Sequence, residues 1–376
     1  MTGNIRKQRN NAGGLTRNGK GRVQTVLLPS LHKPLRALRL LYLGIFALLH
    51  SSCEKDTGKP LPPATGNGVY IVNEGNFQFG NAKVSYYNRQ DGTVTEDLFQ
   101  PANNRPLGDV LQSIYAFKGK IYLTVNNSHK IEVVDSGTFV SSAVISGLGA
   151  PRYFLPVNLQ KAYVTDYENT DAISILDLNT NTVAGNIHCA GWTEELILSN
   201  SKVFVTNMRS DKVYVLNPST DQMEDSIAVN YASNSIVEDK NGKVWVLCSG
   251  NEQKGFYGGL HRINPVTLLV EQSYWFPNLA ERPWRLRLNA SKDTLYFLNE
   301  SVFRLAVSDT MLPGAAFIEK NNRNFYGLGI EPATGIVYVA DAIDYVQRGM
   351  VYRYKPDGSL LDSFRAGIVP GDFWFD

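Results

Sequence analysis

From about residue 67 onward, apolar and polar positions alternate in short runs of four to six residues. Val, Ile, Tyr and Phe alternate with Lys, Thr and Ser, a pattern typical of half-buried β-strands. One phrase recurs: an apolar strand of the type KVYV, a polar turn and a second apolar strand. Its seven copies are GVYIVNEGN from Gly68, KIYLTVNNS from Lys120, KAYVTDYEN from Lys161, KVFVTNMRS from Lys202, KVWVLCSGN from Lys243, TLYFLNES from Thr294 and IVYVADA from Ile336.

The spacing of these copies predicts the fold class. Four consecutive copies, from Lys120 to Lys243, lie about 41 residues apart, a period typical of β-propeller blades, whereas a helical solenoid would show an apolar rhythm of about 3.6 residues. In the third unit the pattern predicts strands over residues 152–156, 162–166, 173–178 and 183–188. We therefore expect an all-β, seven-bladed propeller of four-stranded blades. A pair of β-sandwiches is the alternative, because blades one and six are irregularly spaced.

The last residues of the chain predict how the ring closes. The first copy has no inner strand before it, since residues 58–66 are rich in Pro and Gly. The segment GIVPGDFWFD at residues 367–376 resembles GLGAPRYFLP at residues 147–156. We therefore expect the C-terminal strand to complete the first blade, which would remove exposed sheet edges.

The first 52 residues differ from the rest in charge. They hold nine of the 37 Lys and Arg residues and no Asp or Glu, so the remaining 28 basic residues stand against 35 acidic ones. The formal net charge after residue 52 is therefore −7. Nucleic-acid-binding domains concentrate positive charge on one face, so this balance argues against a nucleic-acid partner.

The same region looks like a bacterial lipoprotein signal. Lys33, Arg36 and Arg39 precede an apolar run at residues 40–49, which suits a signal-peptide core and is short for a membrane span. Ser51 and Ser52 then lead to Cys53, which the resemblance makes the lipidated first residue of the mature chain. His50 departs from the usual motif, which favours an aliphatic residue at that position.

Three segments are therefore predicted: a leader at residues 1–52, a lipidated N-terminus with a flexible linker at residues 53–66, and the propeller at residues 67–376. The sequence Glu54, Lys55, Asp56 after the cysteine resembles the export signal of surface lipoproteins of Bacteroidota. It implies an outer-membrane protein that is lipid-anchored and exposed at the cell surface, and the alternative is a plain solvated linker.

The sequence contains few features that would indicate a catalytic or metal-binding site. Cys189 and Cys248 fall in different predicted blades and are expected to be buried thiols without a disulfide. The chain has no CxxC or HExxH motif, and His129, His188 and His261 stand singly. We therefore predict a protein that is not an enzyme and has no metal site or resident cofactor.

The predicted loops of one propeller face are rich in aromatic and amide groups. Flat rings flanked by amides suit a broad, partly apolar ligand with amide or hydroxyl edges. The alternative is that several of these rings pack between blades. The candidate ligand-binding residues are Asn76, Phe77, Asn127, His129, Tyr167, Asn169, Trp192, Arg209, Phe256, Tyr257, Trp284, Tyr326 and Tyr345.

Two loops on this face are longer than their counterparts in the other copies. They are residues 249–259 (SGNEQKGFYGG) and residues 341–349 (DAIDYVQRG), and each carries an aromatic residue. Extra loop length on a rigid ring commonly serves binding, although both loops could be mobile tips.

Phrases such as KVFVTN and KVYVLNPST resemble YVTN-type, surface-layer-like propeller repeats over roughly residues 68–376. The NEGNF phrase from Asn73, the leader and the PGDFWFD ending resemble more narrowly the surface lipoproteins of Bacteroidota that include cobalamin-capturing propellers. This resemblance implies capture of a corrinoid and its delivery to a TonB-dependent outer-membrane transporter. His129 is the residue that could approach the cobalt.

Three other functions stay open. A glycan-binding or adhesion module would use the same aromatic platforms, and a protein-interaction propeller would leave the channel mouth without a small molecule. A propeller lactonase or lyase would need converging acids, for which Asp166, Glu168, Asp341 and Asp344 are the candidates.

Overall fold

The computed structural model describes residues 66–168 and 172–376. The predicted leader, the lipidation site Cys53, most of the linker and the candidate Asn169 lie outside the described residues. The described residues belong to one compact unit, Gly58–Asp376. No helix among them is long and apolar enough to cross a membrane.

The alternating runs form strands that are nearly all five to seven residues long. In chain order they are β1 (Gly68–Asn73), β2 (Lys83–Asn88), β3 (Val94–Thr95), β4 (Leu111–Phe117), β5 (Lys120–Val125), β6 (Lys130–Asp135), β7 (Ser141–Ile145), β8 (Pro151–Pro156), β9 (Lys161–Asp166), β10 (Ala172–Asp177), β11 (Thr182–His188), β12 (Thr193–Ser199), β13 (Lys202–Asn207), β14 (Lys212–Asn217), β15 (Gln222–Ala228), β16 (Ser233–Glu238), β17 (Val244–Cys248), β18 (Gly259–Ile263), β19 (Val270–Trp275), β20 (Trp284–Leu288), β21 (Thr294–Asn299), β22 (Ser301–Ala306), β23 (Phe325–Ile330), β24 (Val337–Asp341), β25 (Arg348–Tyr354), β26 (Leu360–Ile368) and β27 (Pro370–Phe375). One short helix, α1 (Phe99–Asn103), and 3-10 turns at Asn126–Ser128 and Glu252–Lys254 lie in the loops.

The strands form seven antiparallel sheets, which are the blades of a propeller, and this confirms the predicted fold class. Blade one is β27-β1-β2-β3, and blades two to five are β4–β7, β8–β11, β12–β15 and β16–β19. Blade six is β20–β22, and blade seven is β23–β26. The strands of the third unit lie within one residue of their predicted bounds.

The C-terminal strand closes the ring, as predicted. β27 pairs with β1 in antiparallel register, with Val69 opposite Phe375 and Ile71 opposite Phe373. The backbone N–H of Asp376 donates to the carbonyl of Gly68 at 3.1 Å. The first blade therefore combines the two ends of the propeller.

Blade six has three strands, so the prediction of four strands in every blade is wrong there. After β22 the chain contains Pro313 and Gly314 and lacks alternation of apolar and polar residues. Proline cannot donate to a ladder, which disfavours a regular outer strand. The segment contacts β22 through an isolated bridge between Val302 and Ile318.

The hydrophobic core lies between the blades. Seven clusters of buried side chains each join two neighbouring sheets; one example is Tyr338 of blade seven, which packs on Phe373 of blade one. Cys189 and Cys248 are buried in this core, as predicted, and both are free thiols within the part of the chain that the structure describes. Because each sheet packs against a neighbouring sheet on both of its faces, the inner strands are held in place around the central channel.

Candidate functional site

A cavity of about 510 Å³ opens at the centre of one propeller face, and we refer to it as the cup. This is the face on which the loops between second and third strands meet the loops that lead to the next inner strand. All seven blades contribute to its lining. The cup is therefore the place where the ring can surround one ligand.

A β-bulge recurs at the start of every inner strand. In each blade the register between the inner strand and its neighbour shifts by one residue after the first pair. Bulges re-aim side chains next to binding sites. The second residues of the seven inner strands are Gln112, Arg152, Glu194, Asn234, Arg285, Tyr326 and Gly371, and all except the glycine line the cup.

Gly371 leaves room for a carboxylate from the neighbouring loop. A Cβ at this position would lie 2.6 Å from Oε1 of Glu74, the residue that follows β1. Glu74 lines the cup in place of a side chain from β27. Blade one therefore contributes a carboxylate to the cup, where the other six blades contribute the second residue of their inner strands.

Arg152 joins three blades on one side of the cup. Its Nε donates to Oε2 of Glu194 at 2.8 Å, and its Nη1 donates to the Gln112 side-chain oxygen. The indole N–H of Trp192 donates to the same Glu194 oxygen at 2.7 Å. Arg152 and Glu194 therefore hold the Trp192 ring at the rim.

Two arginines of blade six cross the channel. Arg285 donates from Nη1 to the Tyr153 hydroxyl at 3.1 Å, and its Nη2 lies 3.7 Å from Oε1 of Glu74. Arg287 lies 3.0 Å from Glu195 and 3.1 Å from Asp372. These contacts link blade six to blades one, three and four, so the cup has a polar floor.

Arg285 is the least satisfied of these arginines. It is 6% exposed, and its buried Nε has no hydrogen-bond partner among the described residues. Its φ of 58° lies in the left-handed region, which is costly for a residue with a side chain and often marks a functional site.

Burial shifts the pKa values of the ionisable groups in the floor. Burial raises the pKa of Glu74, against the lowering effect of Arg285 and Arg152. Burial also raises the pKa of Glu195. The pKa values of Tyr153 and Tyr326 are raised by burial too, so their hydroxyls stay protonated, and Tyr326 donates to Glu74 at 3.0 Å. The floor can therefore both donate and accept hydrogen bonds.

Aromatic rings surround the mouth in two groups. Trp284, Tyr326 and Tyr345 pack edge to face, with centroid separations of 4.8 Å and 5.5 Å. In the second group, Tyr167 lies 4.5 Å from Trp192. Such rings offer flat apolar surface to a ligand beside the polar floor.

The structure brings only part of the predicted set into the cup. Trp192, Trp284, Tyr326 and Tyr345 line it. Arg209 lies beside it, with its guanidinium carbon 5.7 Å from the Trp192 ring. Besides Arg209, the described candidates that do not line the cup are Asn76, Phe77, Asn127, His129, Tyr167, Phe256 and Tyr257.

Several of these outlying candidates hold loops in place. Asn76 donates to the carbonyl of Tyr345 at 2.6 Å, and Asn127 donates to Asp109. Nδ1 of His129 contacts the carbonyl of Gly149. Within residues 66–168 and 172–376, no cluster of three or more His, Cys, Asp or Glu residues could hold a metal ion.

The acids considered for catalysis lie at strand ends or in loops: Asp166 ends β9, Asp341 ends β24, and Glu168 and Asp344 follow in the loops. Asp166 accepts backbone N–H groups of Gly149 and Ala150, at 3.0 and 2.9 Å. Asp341 accepts the backbone N–H groups of Asn324 and Ile343, and Asp344 accepts those of Val346 and Gln347 in its own loop. Neither they nor the exposed Glu168 line the cup.

Sequence reasoning missed the polar floor of the cup, which consists of Glu74, Gln112, Arg152, Tyr153, Glu194, Glu195 and Arg285. It also missed Arg287, which pairs with Glu195. The signal was present in the resemblance between PRYFLP and PGDFWF. Extending that alignment to all inner strands places a polar residue or glycine second in each.

Comparisons with known proteins agree with this architecture. A family model described as a domain of unknown function (DUF5074) matches residues 67–356. A search of the curated proteins finds no match to this chain.

Solved structures with the same fold include a quinoprotein alcohol dehydrogenase-like protein from Bacteroides thetaiotaomicron. It has a TM-score of 0.64 and 17% identity, over 82% of this chain and 78% of that one. Two proteins described as 6-phosphogluconolactonases are also similar. The one from Bacteroides fragilis has a TM-score of 0.59 and 13% identity, over 84% of this chain and 100% of that one. The one from Bacteroides uniformis has a TM-score of 0.60 and 14% identity, over 82% of this chain and 99% of that one. At these identities the likeness shows the fold alone.

Proposed function

The chain belongs to the family described as a domain of unknown function (DUF5074), and we propose that it is a ligand-capturing propeller whose ligand is a corrinoid. The observation that carries the proposal is the cup, a cavity of about 510 Å³ with a hydrogen-bonding floor and an aromatic rim. Its donors and acceptors are held in place by contacts between blades, so little side-chain freedom is lost on binding, which favours affinity.

The cup suits one edge of a corrinoid. This macrocycle is wider than the cup and carries amide groups around its periphery. We propose that the macrocycle lies across the mouth against Trp192, Trp284 and Tyr345, with peripheral amides reaching the floor. Amides both donate and accept hydrogen bonds, which matches a floor that holds guanidinium, carboxyl and phenol groups.

The cellular setting is part of the same proposal. The lipoprotein-like leader and Cys53 support a lipid-anchored protein of the outer membrane, exposed at the surface. The captured corrinoid would pass to a TonB-dependent transporter. Globomycin, which blocks lipoprotein signal cleavage, is expected to leave an uncleaved precursor, and a Cys53→Ala variant should lose lipid labelling.

Calorimetry of residues 58–376 against cyanocobalamin and dicyanocobinamide tests the ligand. We expect heat of binding and a shift of the visible corrinoid bands at micromolar protein. The absence of both, with the circular dichroism of a β-protein retained, would remove the corrinoid proposal.

A matched pair of tryptophan variants tests the site. Trp284→Ala removes a ring from the mouth and is expected to weaken corrinoid binding at least about tenfold, or about 1.4 kcal/mol. Trp275→Ala is the control, since this 62% exposed side chain ends the outer strand β19 and does not line the cup. Equal affinities for the two variants would place the ligand elsewhere.

A lactonase is the second candidate, and Glu74 favours it. A carboxyl with a raised pKa beside a phenol and an arginine can act as a general acid. Hydrolysis of 6-phosphogluconolactone that disappears in Glu74→Gln would support this function, and the lack of turnover by the native chain would exclude that substrate.

A further inference from the structure

A second depression adjoins the cup between blades four and five, and we refer to it as the groove. It encloses about 680 Å³ and shares Trp192, Met208, Ser249 and Arg282 with the cup. The cup and the groove therefore adjoin at these four residues, close enough for one ligand to contact both.

The groove is basic. Its described lining contains Arg209, Lys254 and Arg282 and no carboxylate. Arg282 has an exposed partner, Glu252, at 3.3 Å. Arg209 and Lys254 form no ion pair with a carboxylate among the described residues, and the lining around them has no Asp or Glu. Their charge is thus available to a ligand.

Aromatic rings lie directly beside these cations. The guanidinium carbon of Arg209 is 5.4 Å from the Tyr167 ring and 5.7 Å from the Trp192 ring. On the other side, Nζ of Lys254 lies 4.8 Å from the Tyr231 ring, and Tyr231 stacks on Phe256 at 5.0 Å. These contacts orient the two cations. Lys254 uses one of its three N–H donors on the Tyr231 hydroxyl, at 2.9 Å, and the other two remain for a ligand.

The long loop at residues 249–259 builds one wall of the groove. Asn251 and Phe256 exchange backbone hydrogen bonds at 2.7 and 2.8 Å, and the Asn251 side chain accepts from the N–H of Lys254 at 3.0 Å. Gly250 has a φ of 68°, and a Cβ there would lie 2.4 Å from the carbonyl oxygen of Phe256. The loop is therefore built around a glycine that allows this close return.

We infer that the groove binds an oxyanion, a phosphate or carboxylate, attached to a planar ring of the ligand that occupies the cup. This inference rests on the proposed function, because it assigns the groove to the same ligand. Arg209 and Lys254 contact the oxyanion from opposite sides, and the Trp192 and Tyr231 rings accept the planar group.

The test uses pairs of small probes that share a ring and differ in charge. Calorimetry compares adenosine monophosphate with adenosine, and nicotinate with nicotinamide. The protein used is residues 58–376, a segment that contains both strands of the propeller closure, β1 and β27. We expect each anion to bind at least about tenfold more tightly than its neutral partner at low salt, with the difference shrinking at high salt. The pair with the larger ratio of anion affinity to neutral affinity identifies phosphate or carboxylate as the preferred group.

The double variant Arg209→Gln and Lys254→Gln is expected to abolish this discrimination. The matched control is Lys355→Gln with Arg365→Gln, which removes one lysine and one arginine from exposed positions of blade seven. Equal binding of charged and neutral probes to the native protein overturns the inference, as does unchanged discrimination in the double variant. The salt dependence of the native protein decides the matter even if the variant does not fold.

Corrinoid titrations of the same proteins keep the two proposals separate. Corrinoid binding without anion discrimination refutes the groove alone, and anion discrimination without corrinoid binding refutes the corrinoid alone.

Discussion

Single buried polar residues show how strongly the ring constrains its side chains. His261 on β18 is 4% exposed, with Nε2 2.8 Å from the Asn230 side-chain oxygen and Nδ1 2.9 Å from the Ser273 hydroxyl. Burial lowers the pKa of His261 from 6.5 to about 4. The histidine is therefore a neutral structural residue of blade five.

This shift predicts acid sensitivity. Between about pH 6.5 and pH 4 the unfolded chain binds a proton at His261 and the folded chain does not, so stability rises with pH across this window. The stability that depends on a neutral His261 is fully present above pH 6.5. It is lost as the pH falls toward 4, and the free energy of unfolding decreases by ~3 kcal/mol at most. Denaturant unfolding measured from pH 7 to pH 4 should show a smaller decrease in the free energy of unfolding for His261→Gln than for the native protein.

His188→Gln is the control, because His188 is exposed on the outer strand β11. An identical pH profile for the native protein and His261→Gln would contradict the prediction.

Among the elements, the inner strands are the most tightly constrained. Each begins with a bulge, and neighbouring inner strands approach so closely that small residues are required at some contacts. A Cβ on Gly327 of β23 would lie 2.9 Å from the carbonyl oxygen of Gly371 on β27. Neither backbone can move without disturbing its own sheet.

We therefore expect Gly327→Ala to destabilise the protein by about 1–3 kcal/mol, because the added methyl group forces two blades apart. Gly314→Ala is the matched control, since a Cβ there meets no atom within 4 Å. Thermal unfolding monitored by near-ultraviolet circular dichroism measures the difference. Equal melting temperatures for the two variants would refute the account.

For the whole molecule, closure through β27 is the decisive contact. Arg89 strengthens it by donating to the carbonyl of Asp376 at 2.9 Å while it also pairs with Glu331 of blade seven. Without β27, strand β1 would expose an edge and Gly68–Asn73 would lose half of its pairing.

Two rearrangements of the chain test this contact. A chain ending at Val369 is expected to aggregate or lose its near-ultraviolet circular dichroism. A circular permutant that begins at Pro370 and joins Asp376 to Gly66 through a short linker should retain the fold, because it makes blade one continuous like the other blades. A stable, monomeric truncated chain would show that closure is dispensable.

Much of this architecture could be predicted from the sequence because the information is local. Alternation of apolar and polar residues defines strands, and the repeat of about 41 residues defines blades. The prediction of an outer strand in blade six is wrong because the segment after β22 lacks alternating apolar and polar residues. The candidates predicted on the loop face include Trp192, Trp284, Tyr326 and Tyr345, which line the cup. They do not include the charged residues of the floor, such as Arg152 and Arg285.

The sequence by itself determined the number of blades, their strand order and the way the ends meet, since strand formation and repetition depend on neighbouring residues. Only the tertiary structure decided which side chains converge in the cup. Arg285 and Tyr153 lie 132 positions apart, and Arg287 and Glu195 lie 92 apart. Such pairs form because the ring curves seven separate bulges toward one axis, a geometric property that no single repeat contains.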